Sequence, residues 1–278
     1  MNSRGNIKEL VSKLFFIVPQ TTPVVEMQNL TMQWSSNLVL DQVNLIMKPG
    51  ERLAIVGPSG SGKSTILRLL AGLLLPSQGK LKLFGEKQQY LRLDQIKPPD
   101  VRFVFQNPAL LASLTVEENV GFLLMQNKEI NYKERHELVS KSLAEVGLYD
   151  IADKFPGQLS GGMQKRVSFA RALINDPYRN QQKMPLLLYD EPTAGLDPVA
   201  STRIEDLIVK TTEVVNGCSI VVSHIQSTIE RSAKRVLMIY DGKFQWDGSI
   251  EEFKQSNNAY VQQFRSGSLK GPMQPTDE

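Results

Sequence analysis

The stretch Arg52-Leu53-Ala54-Ile55-Val56-Gly57-Pro58-Ser59-Gly60-Ser61-Gly62-Lys63-Ser64 decides the fold. It begins as a β-type run, ends in the form G-x-x-x-x-G-K-S/T, and is followed by a helical pattern over residues 64–70. Glycines in such a loop let backbone amides turn inward around a phosphate. The positive charge of Lys63 at a helix N-terminus is unfavourable, because it opposes the helix dipole. A bound phosphate would compensate that charge, whereas a glycine-rich turn without a ligand would not. The stretch therefore predicts a nucleoside triphosphate site.

Composition places the 278-residue chain among ordinary globular proteins of one or two domains, with 41% hydrophobic and 22% charged residues. A net charge of +3, from 32 basic and 29 acidic residues, is too balanced to favour nucleic acid as a partner. The single cysteine, Cys218, lies in a strand-like run and favours a reducing compartment. No apolar run approaches the ~18 residues that span a bilayer, so we expect no membrane crossing.

The first 22 residues are predicted to form an N-terminal extension. The apolar run at residues 14–18 is not followed by a small-residue cleavage site, and Glu9 interrupts the basic character before it, which disfavours a signal peptide. Apolar residues at helical spacing instead predict an amphipathic helix over residues 7–17, which packs on the body or touches a membrane surface.

Strand and helix patterns alternate along the rest of the chain. The candidate strands are residues 24–27, 39–47, 52–56, 101–105, 186–189, 219–223 and 236–239. The candidate helices are residues 64–70, 132–146, 163–174, 199–214 and 225–233, and Thr115-Val116-Glu117-Glu118 has the form of a capping box. This order predicts a mostly parallel sheet with covering helices, and a middle third that is mostly helical.

The run Leu186-Leu187-Leu188-Tyr189-Asp190-Glu191 ends an apolar strand in two carboxylates. At the carboxyl edge of a parallel sheet, Asp190 would emerge beside the phosphate loop and could hold Mg²⁺ through water. Glu191 is then suited to act as a general base on the attacking water. A solvated acidic turn is the alternative. Tyr189 is given a packing role, and its hydroxyl needs a hydrogen-bond partner.

A second motif, Leu159-Ser160-Gly161-Gly162-Met163-Gln164, follows the phosphate loop after about a hundred residues and leads into a helix. A serine hydroxyl and glycine amides at a helix N-terminus form another anion site. Together the two motifs resemble the ATP-binding subunits of ABC transporters, over about residues 24–254. The resemblance implies an α/β ABC ATPase fold for residues 23–255. It has a mostly parallel P-loop sheet core, an antiparallel β subdomain, and a helical subdomain at about residues 107–175.

The same resemblance implies roles for individual residues. Gln106 corresponds to the Q-loop near the γ-phosphate and the groove for the membrane subunit, Asp197 to the D-loop, and His224 to the switch histidine. The implied catalytic residues are Glu191, His224 and Gln106, and the implied magnesium ligands are Ser64, Gln106 and Asp190. The implied ATP-binding positions are Trp34, Gly57, Pro58, Ser59, Gly60, Ser61, Gly62, Lys63, Ser64, Thr65, Gln106, Ser160, Gly161, Gly162, Asp197 and His224.

Trp34 is the only aromatic residue between Val24 and Gly57, at the place where the family stacks a ring on adenine. A tryptophan half buried at a sheet edge is the alternative. In the family, Ser160 and its glycines bind the γ-phosphate held by a second copy, so the resemblance implies a dimer with two sandwiched ATP molecules.

Three segments, residues 159–167, 191–201 and 261–272, resemble the ATPases of MCE-type lipid transporters, including the cyanobacterial and plastid branch. Residues 224–231 and an inserted loop at 178–184 favour the same branch. This implies a phospholipid or related glycerolipid cargo, membrane permease subunits and an MCE-domain partner. It also implies a peripheral location on the cytoplasmic or stromal face of a membrane.

Two alternatives remain: an importer ATPase for another small solute, and a soluble ABC ATPase of iron–sulfur assembly. DNA-repair relatives need long coiled coils and translation factors carry two cassettes, and neither feature is present in this sequence.

The last segment, residues 256–278, is assigned as a C-terminal tail, and its final stretch from residue 262 is polar and contains Gly267, Gly271, Pro272 and Pro275. This composition predicts an extended tail. Phe264 within it suggests an arm that docks on the partner ATPase or the membrane subunit, with a disordered end as the alternative.

Overall fold

Two β-sheets form the frame of the computed structural model, which describes residues 22–177 and 184–274. The strands are β1 Val25–Trp34, β2 Asn37–Met47, β3 Arg52–Val56, β4 Gln78–Leu83, β5 Glu86–Lys87, β6 Val101–Val104, β7 Leu186–Asp190, β8 Cys218–Val222, β9 Arg235–Tyr240 and β10 Lys243–Ser249. The helices are α1 Lys63–Leu70, α2 Val116–Val120, α3 Tyr132–Glu145, α4 Gly161–Leu173, α5 Pro198–Val214, α6 Gln226–Ser232, α7 Ile250–Gln255 and α8 Ala259–Ser266. The predicted N-terminal helix and residues 178–183 of the inserted loop lie outside the described residues.

The larger sheet has the strand order β10-β9-β3-β8-β7-β6. The pairs from β9 to β6 are parallel, and β10 is antiparallel to β9 at one edge. The central strands are almost continuously apolar, as strands covered on both faces require. Because β3, β7 and β8 are parallel, their carboxyl ends meet at one edge, where the phosphate loop, Glu191 and His224 follow them. The predicted mostly parallel core is confirmed.

The smaller sheet, ordered β2-β1-β4-β5, is antiparallel throughout. Its inner side chains share one apolar core with α1 and the large sheet, in which Met27 and Leu81 are buried together with Leu53, Ile55 and Leu67. The small sheet therefore packs directly against the element that carries the phosphate loop.

Helices α2 to α4 build a second core against the other face of the large sheet. Val139 of α3 and Val167 of α4 are fully buried there with Leu187 of β7. The predicted capping box is confirmed: Glu118 N donates to Thr115 Oγ1 at 3.2 Å, and Thr115 N donates to Glu118 Oε2 at 2.7 Å. Within residues 22–177 and 184–274, none of the helices combines the length and the apolar character that a bilayer crossing needs.

Tyr189 is fully buried in β7, and its hydroxyl has the partner it needs. It lies 2.6 Å from Thr211 Oγ1 of α5, and Thr211 Oγ1 in turn donates to Leu207 O at 2.7 Å. Burial raises the pKa of Tyr189 to about 12, with the Thr211 hydrogen bond opposing that rise. The ring also stacks on Phe169 of α4 with the centroids 5.3 Å apart. Tyr189 thus joins the sheet to α4 and α5.

Replacing Tyr189 by Phe is expected to lower the free energy of unfolding by about 0.5–1.5 kcal/mol, because one buried hydrogen bond is lost. Urea denaturation measures this change, with the exposed Tyr149→Phe as the matched control. Catalytic turnover should stay at the wild-type value. A loss of turnover without a loss of stability would contradict the packing role.

The predicted extended tail is wrong for residues 259–274. Residues 259–266 form α8, whose first turn is capped by Asn258, with Tyr260 N and Val261 N donating to its side chain. The buried Gln263 amide then holds the chain that follows, donating to Ser268 O and Met273 O and accepting from Met273 N. Phe264 packs on Phe253 of the same chain. The burial of Val261 and the contacts of Gln263 with Met273, together with the cap, outweigh the polar composition that suggested an extended arm.

Candidate active site

The phosphate loop adopts its shape because three of its residues have no side chain. Gly57, Gly60 and Gly62 have φ angles of +152°, +75° and +102°, which L side chains rarely adopt. A Cβ on Gly57 would also lie 2.1 Å from Ile239 O of the neighbouring strand. The loop between β3 and α1 is thereby fixed by backbone packing.

Lys63 lies at the first position of α1 with its amine turned back into the loop. Its Nζ donates to Gly57 O at 2.9 Å and to Pro58 O at 2.6 Å, and the side chain is buried. Burial lowers the pKa of Lys63, and the charges of Glu191 and Asp190 oppose that shift. The hydroxyl of Ser61 is also buried and makes no hydrogen bond within the described residues. A bound phosphate would give both groups an acceptor, so the loop fits a nucleoside triphosphate.

Ser64 and Asp190 place two oxygens together below the loop. Ser64 Oγ donates to Asp190 Oδ1 at 3.3 Å. Burial raises the pKa of Asp190, the Ser64 hydrogen bond lowers it, and the charge of Glu191 raises it further. Among the residues described here, no three His, Cys, Asp or Glu side chains cluster as a metal site. Mg²⁺ commonly takes only one or two protein ligands beside phosphates and water, so this pair fits a magnesium–nucleotide complex.

Glu191 follows β7 in a strained backbone conformation. Its φ is +42°, and its amide donates to Val222 O at 2.9 Å. Glu191 Oε1 lies 3.0 Å from His224 Nδ1, whereas Oε2 is buried and accepts no hydrogen bond from any residue that the structure describes. The His224 side chain is 63% exposed and faces the site from the end of β8. One carboxylate oxygen therefore contacts histidine, and the other is available as a hydrogen-bond or proton acceptor.

Three further candidates lie at the ends of their own elements. Gln106 is exposed two residues after the end of β6, and Trp34 is 49% exposed at the end of β1. Asp197 caps α5, with Val199 N and Ala200 N each donating to its Oδ1 at 2.9 Å. As the cap of α5, Asp197 has a structural role within its own chain.

The second motif stands at the N-terminus of α4. Met163 N donates to Ser160 Oγ at 3.3 Å, and within the described residues a Cβ added to Gly161 or Gly162 would meet no atom beyond its own turn of the helix within 4 Å. Packing within the chain therefore does not require these glycines, although glycine in a helix costs about 0.5–1 kcal/mol relative to alanine. Ser160 and Gly162 line an open cavity of about 210 Å³ whose other walls come from α4, α5 and the loop before α5, and not from the phosphate loop.

The structure also brings to the site residues to which sequence reasoning gave no role. Lys165 of α4 donates to Pro192 O at 3.1 Å and to Ala194 O at 2.6 Å, directly after Glu191. On the other side of this loop, Thr193 Oγ1 lies 2.9 Å from Thr228 Oγ1. These contacts join residues far apart in sequence, and no local pattern announces them.

Comparisons with known proteins agree with this geometry. The ABC transporter family model matches residues 40–194. Protein TRIGALACTOSYLDIACYLGLYCEROL 3, chloroplastic, of Arabidopsis thaliana is 43% identical over 260 residues, covering 90% of this chain and 75% of that protein. The intermembrane phospholipid transport system ATP-binding protein MlaF of Haemophilus influenzae is 35% identical over 254 residues, covering 90% of this chain and 93% of that one.

ATP-binding proteins of importers for other solutes are also similar, at 33% to 35% identity. Among solved structures, a dimeric ATP-binding cassette in a post-hydrolysis state, bound to ADP and Pi, superposes with a TM-score of 0.71. It is 32% identical, and the match covers 81% of this chain and 98% of that one.

Proposed function

Since the chain belongs to the ABC transporter family and is the ATP-hydrolysing subunit of such a transporter, we propose that it powers the transport of a phospholipid or related glycerolipid. The supporting observation is the 43% identity to the Arabidopsis protein over 90% of this chain, against 33% to 35% for the solute importers. The phospholipid ATPase from Haemophilus, at 35%, does not by itself separate these cargo classes. An importer for another small solute is therefore the second candidate.

In this proposal the phosphate loop and Lys63 bind the β- and γ-phosphates of ATP. The loop amides surround the phosphates, and Thr65 follows Ser64 in the first turn of α1. Ser64 and Asp190 would hold Mg²⁺, with Gln106 reaching it from the end of β6. The ion would offset the negative charge of the phosphates during transfer of the γ-phosphoryl group.

Glu191 is the general base. Its free Oε2 accepts the proton of the attacking water, and His224 orients the carboxylate through Oε1. His224 is exposed enough to turn toward the γ-phosphate when ATP is present. Gln106 lies at the boundary with the helical subdomain, where it would relate the site to the membrane subunit.

The site is completed by a second copy of the chain. The glycines at 161 and 162 leave the N-terminus of α4 unobstructed, and the cavity beside it is not lined by the phosphate loop of the same chain. With Ser160, this N-terminus can receive a phosphate held by another chain. A dimer with two-fold symmetry pairs each phosphate loop with the partner's Ser160 motif. Asp197 would lie at the interface between the copies.

Trp34 stacks on the adenine ring. Trp34→Ala is expected to weaken ATP binding by about 1–3 kcal/mol, or roughly 5- to 150-fold in KM, because the stacking face is lost. Turnover at saturation should remain, and Trp34→Tyr should keep most of the affinity. Steady-state kinetics with ATP and GTP measure this, with the exposed Tyr149→Ala as control. An unchanged KM would place Trp34 outside the nucleotide site.

Cargo and partners are tested by purifying the assembled complex from native membranes and identifying its subunits and bound lipid together. We expect permease subunits, an MCE-domain protein and a glycerolipid, on the cytoplasmic or stromal face of the membrane. Recovery with a soluble solute-binding protein and no lipid would favour the importer instead.

A further inference from the structure

The loop from Glu191 to Asp197 joins the base to the start of α5, and its first residue is strained. Glu191 has φ +42° and precedes Pro192, a position at which proline already restricts the backbone. Such conformations persist only where neighbouring contacts hold them. The orientation of the catalytic carboxylate therefore depends on what contacts this loop.

On one side, the loop is held by the Lys165 amine of α4. The loop contains two consecutive turns. Ala194 N donates to Glu191 O, and Leu196 N donates to Thr193 O, so these carbonyls are paired within the loop. The carbonyls of Pro192 and Ala194 accept from Lys165 Nζ. Burial lowers the pKa of Lys165, so these two acceptors compensate a partly desolvated charge.

On the other side, a buried polar network holds the loop. Thr193 contacts Thr228 of α6, whose hydroxyl donates to Glu205 Oε1 of α5 at 2.9 Å. Ser227 donates to the same Glu205 oxygen at 2.8 Å, and Arg231 Nε lies 3.2 Å from Glu205 Oε2. Glu205 is only 1% exposed, and α6 begins two residues after His224. The loop thus lies between the helix of the Ser160 motif and the helix that follows His224.

We propose that Lys165 is a positioning residue that makes α4 and the Glu191 loop move as one unit. Under the proposed function, the Ser160 end of α4 contacts nucleotide on the partner chain, and this inference rests on that assignment. Lys165 lies about 7.5 Å further along the helix axis, at 1.5 Å per residue. Nucleotide bound to the partner chain contacts α4 and fixes its position. Through Lys165, α4 then orients the Glu191 of its own chain, which acts on the nucleotide bound to that chain.

The test compares Lys165→Met, Lys165→Arg and Lys210→Met in the full chain. For Lys165→Met we expect kcat for ATP to fall by about 10- to 100-fold, since small misplacement of a catalytic group has effects of this size, with KM within about twofold of wild type. Lys165→Arg, which can still donate to both carbonyls, should restore most of kcat. Lys210 also donates to a backbone carbonyl between helices, Glu145 O at 2.8 Å, and its replacement should leave kcat unchanged.

A second variant tests the same loop from its other side, without changing Lys165. Thr193→Val removes the contact on the opposite side of the loop and should give the same fall in kcat without a change in KM. Equal kcat values for Lys165→Met and Lys210→Met, or a raised KM with unchanged kcat, would overturn the positioning role. Wild type and Glu191→Gln are measured in the same assay as controls. Hydrolysis by the wild type and its loss in Glu191→Gln show that the proposed catalytic site is working. A failure confined to Lys165 therefore refutes only this inference.

Discussion

Glu191→Gln is expected to slow ATP hydrolysis by roughly 10²–10⁴-fold while leaving ATP binding intact, because glutamine keeps the shape of the side chain but cannot accept the proton from water. Oε1 already faces His224, whereas Oε2 accepts no hydrogen bond from the described part of the chain and is left for that proton. With hydrolysis blocked, the nucleotide that joins two copies is not consumed, so the variant should accumulate as an ATP-bound dimer.

Size-exclusion chromatography with light scattering measures that dimer, beside a radiolabelled ATP-binding assay. Glu213→Gln is the matched control, since this glutamate is largely exposed and pairs with Arg52 away from the site. It should hydrolyse ATP as the wild type does and show no trapped dimer. A Glu191→Gln variant that binds ATP but stays monomeric would refute the assembly of the site from two chains.

Lys63→Met is expected to have the second large effect, and at an earlier step. The amine is buried, and among the described residues it donates to Gly57 O and Pro58 O, so without ATP burial lowers its pKa despite the charges of Glu191 and Asp190. Phosphate oxygens would compensate the charge of the amine, and hydrogen bonds to charged groups contribute about 1.5–3 kcal/mol each. We therefore expect ATP affinity to fall by at least tenfold and hydrolysis to be lost.

Equilibrium binding of a fluorescent ATP analogue measures the loss for Lys63→Met. The control is Lys234→Met, whose side chain is exposed and lies away from the loop. Retained affinity and turnover in Lys63→Met would mean that the loop binds no triphosphate.

Local patterns allowed the sequence to predict the central sheet, the phosphate loop and the carboxylates at its edge. A buried parallel strand must be apolar, and a loop around phosphate must contain glycine. The residue types of β3, β7 and Gly57 were therefore enough to predict them. The capping box at Thr115 was predictable for the same reason, since both of its hydrogen bonds are local.

Contacts between distant residues were not predictable in this way. Lys165 reaches carbonyls of residues 192 and 194, and side-chain type says nothing about which backbone oxygen a lysine will meet. The prediction of an extended tail was wrong for a related reason. The burial of Val261 and the hydrogen bonds between Gln263 and Met273 stabilise α8, and such tertiary effects cannot be read from a polar composition.

The central claim is that each ATP site combines the phosphate loop of one copy with the Ser160 motif of the other. It is tested most directly by mixing two inactive variants, Lys63→Met and Ser160→Arg. In a mixed dimer, the intact loop of one chain faces the intact motif of the other, so one of the two sites is whole. We expect hydrolysis to rise above that of either variant alone, to at most about a quarter of wild type, because about half of the dimers are mixed and each has one whole site. Its Glu191 lacks the contact from nucleotide at the second site, so this value is the upper bound. A mixture as inactive as its two components would contradict the account.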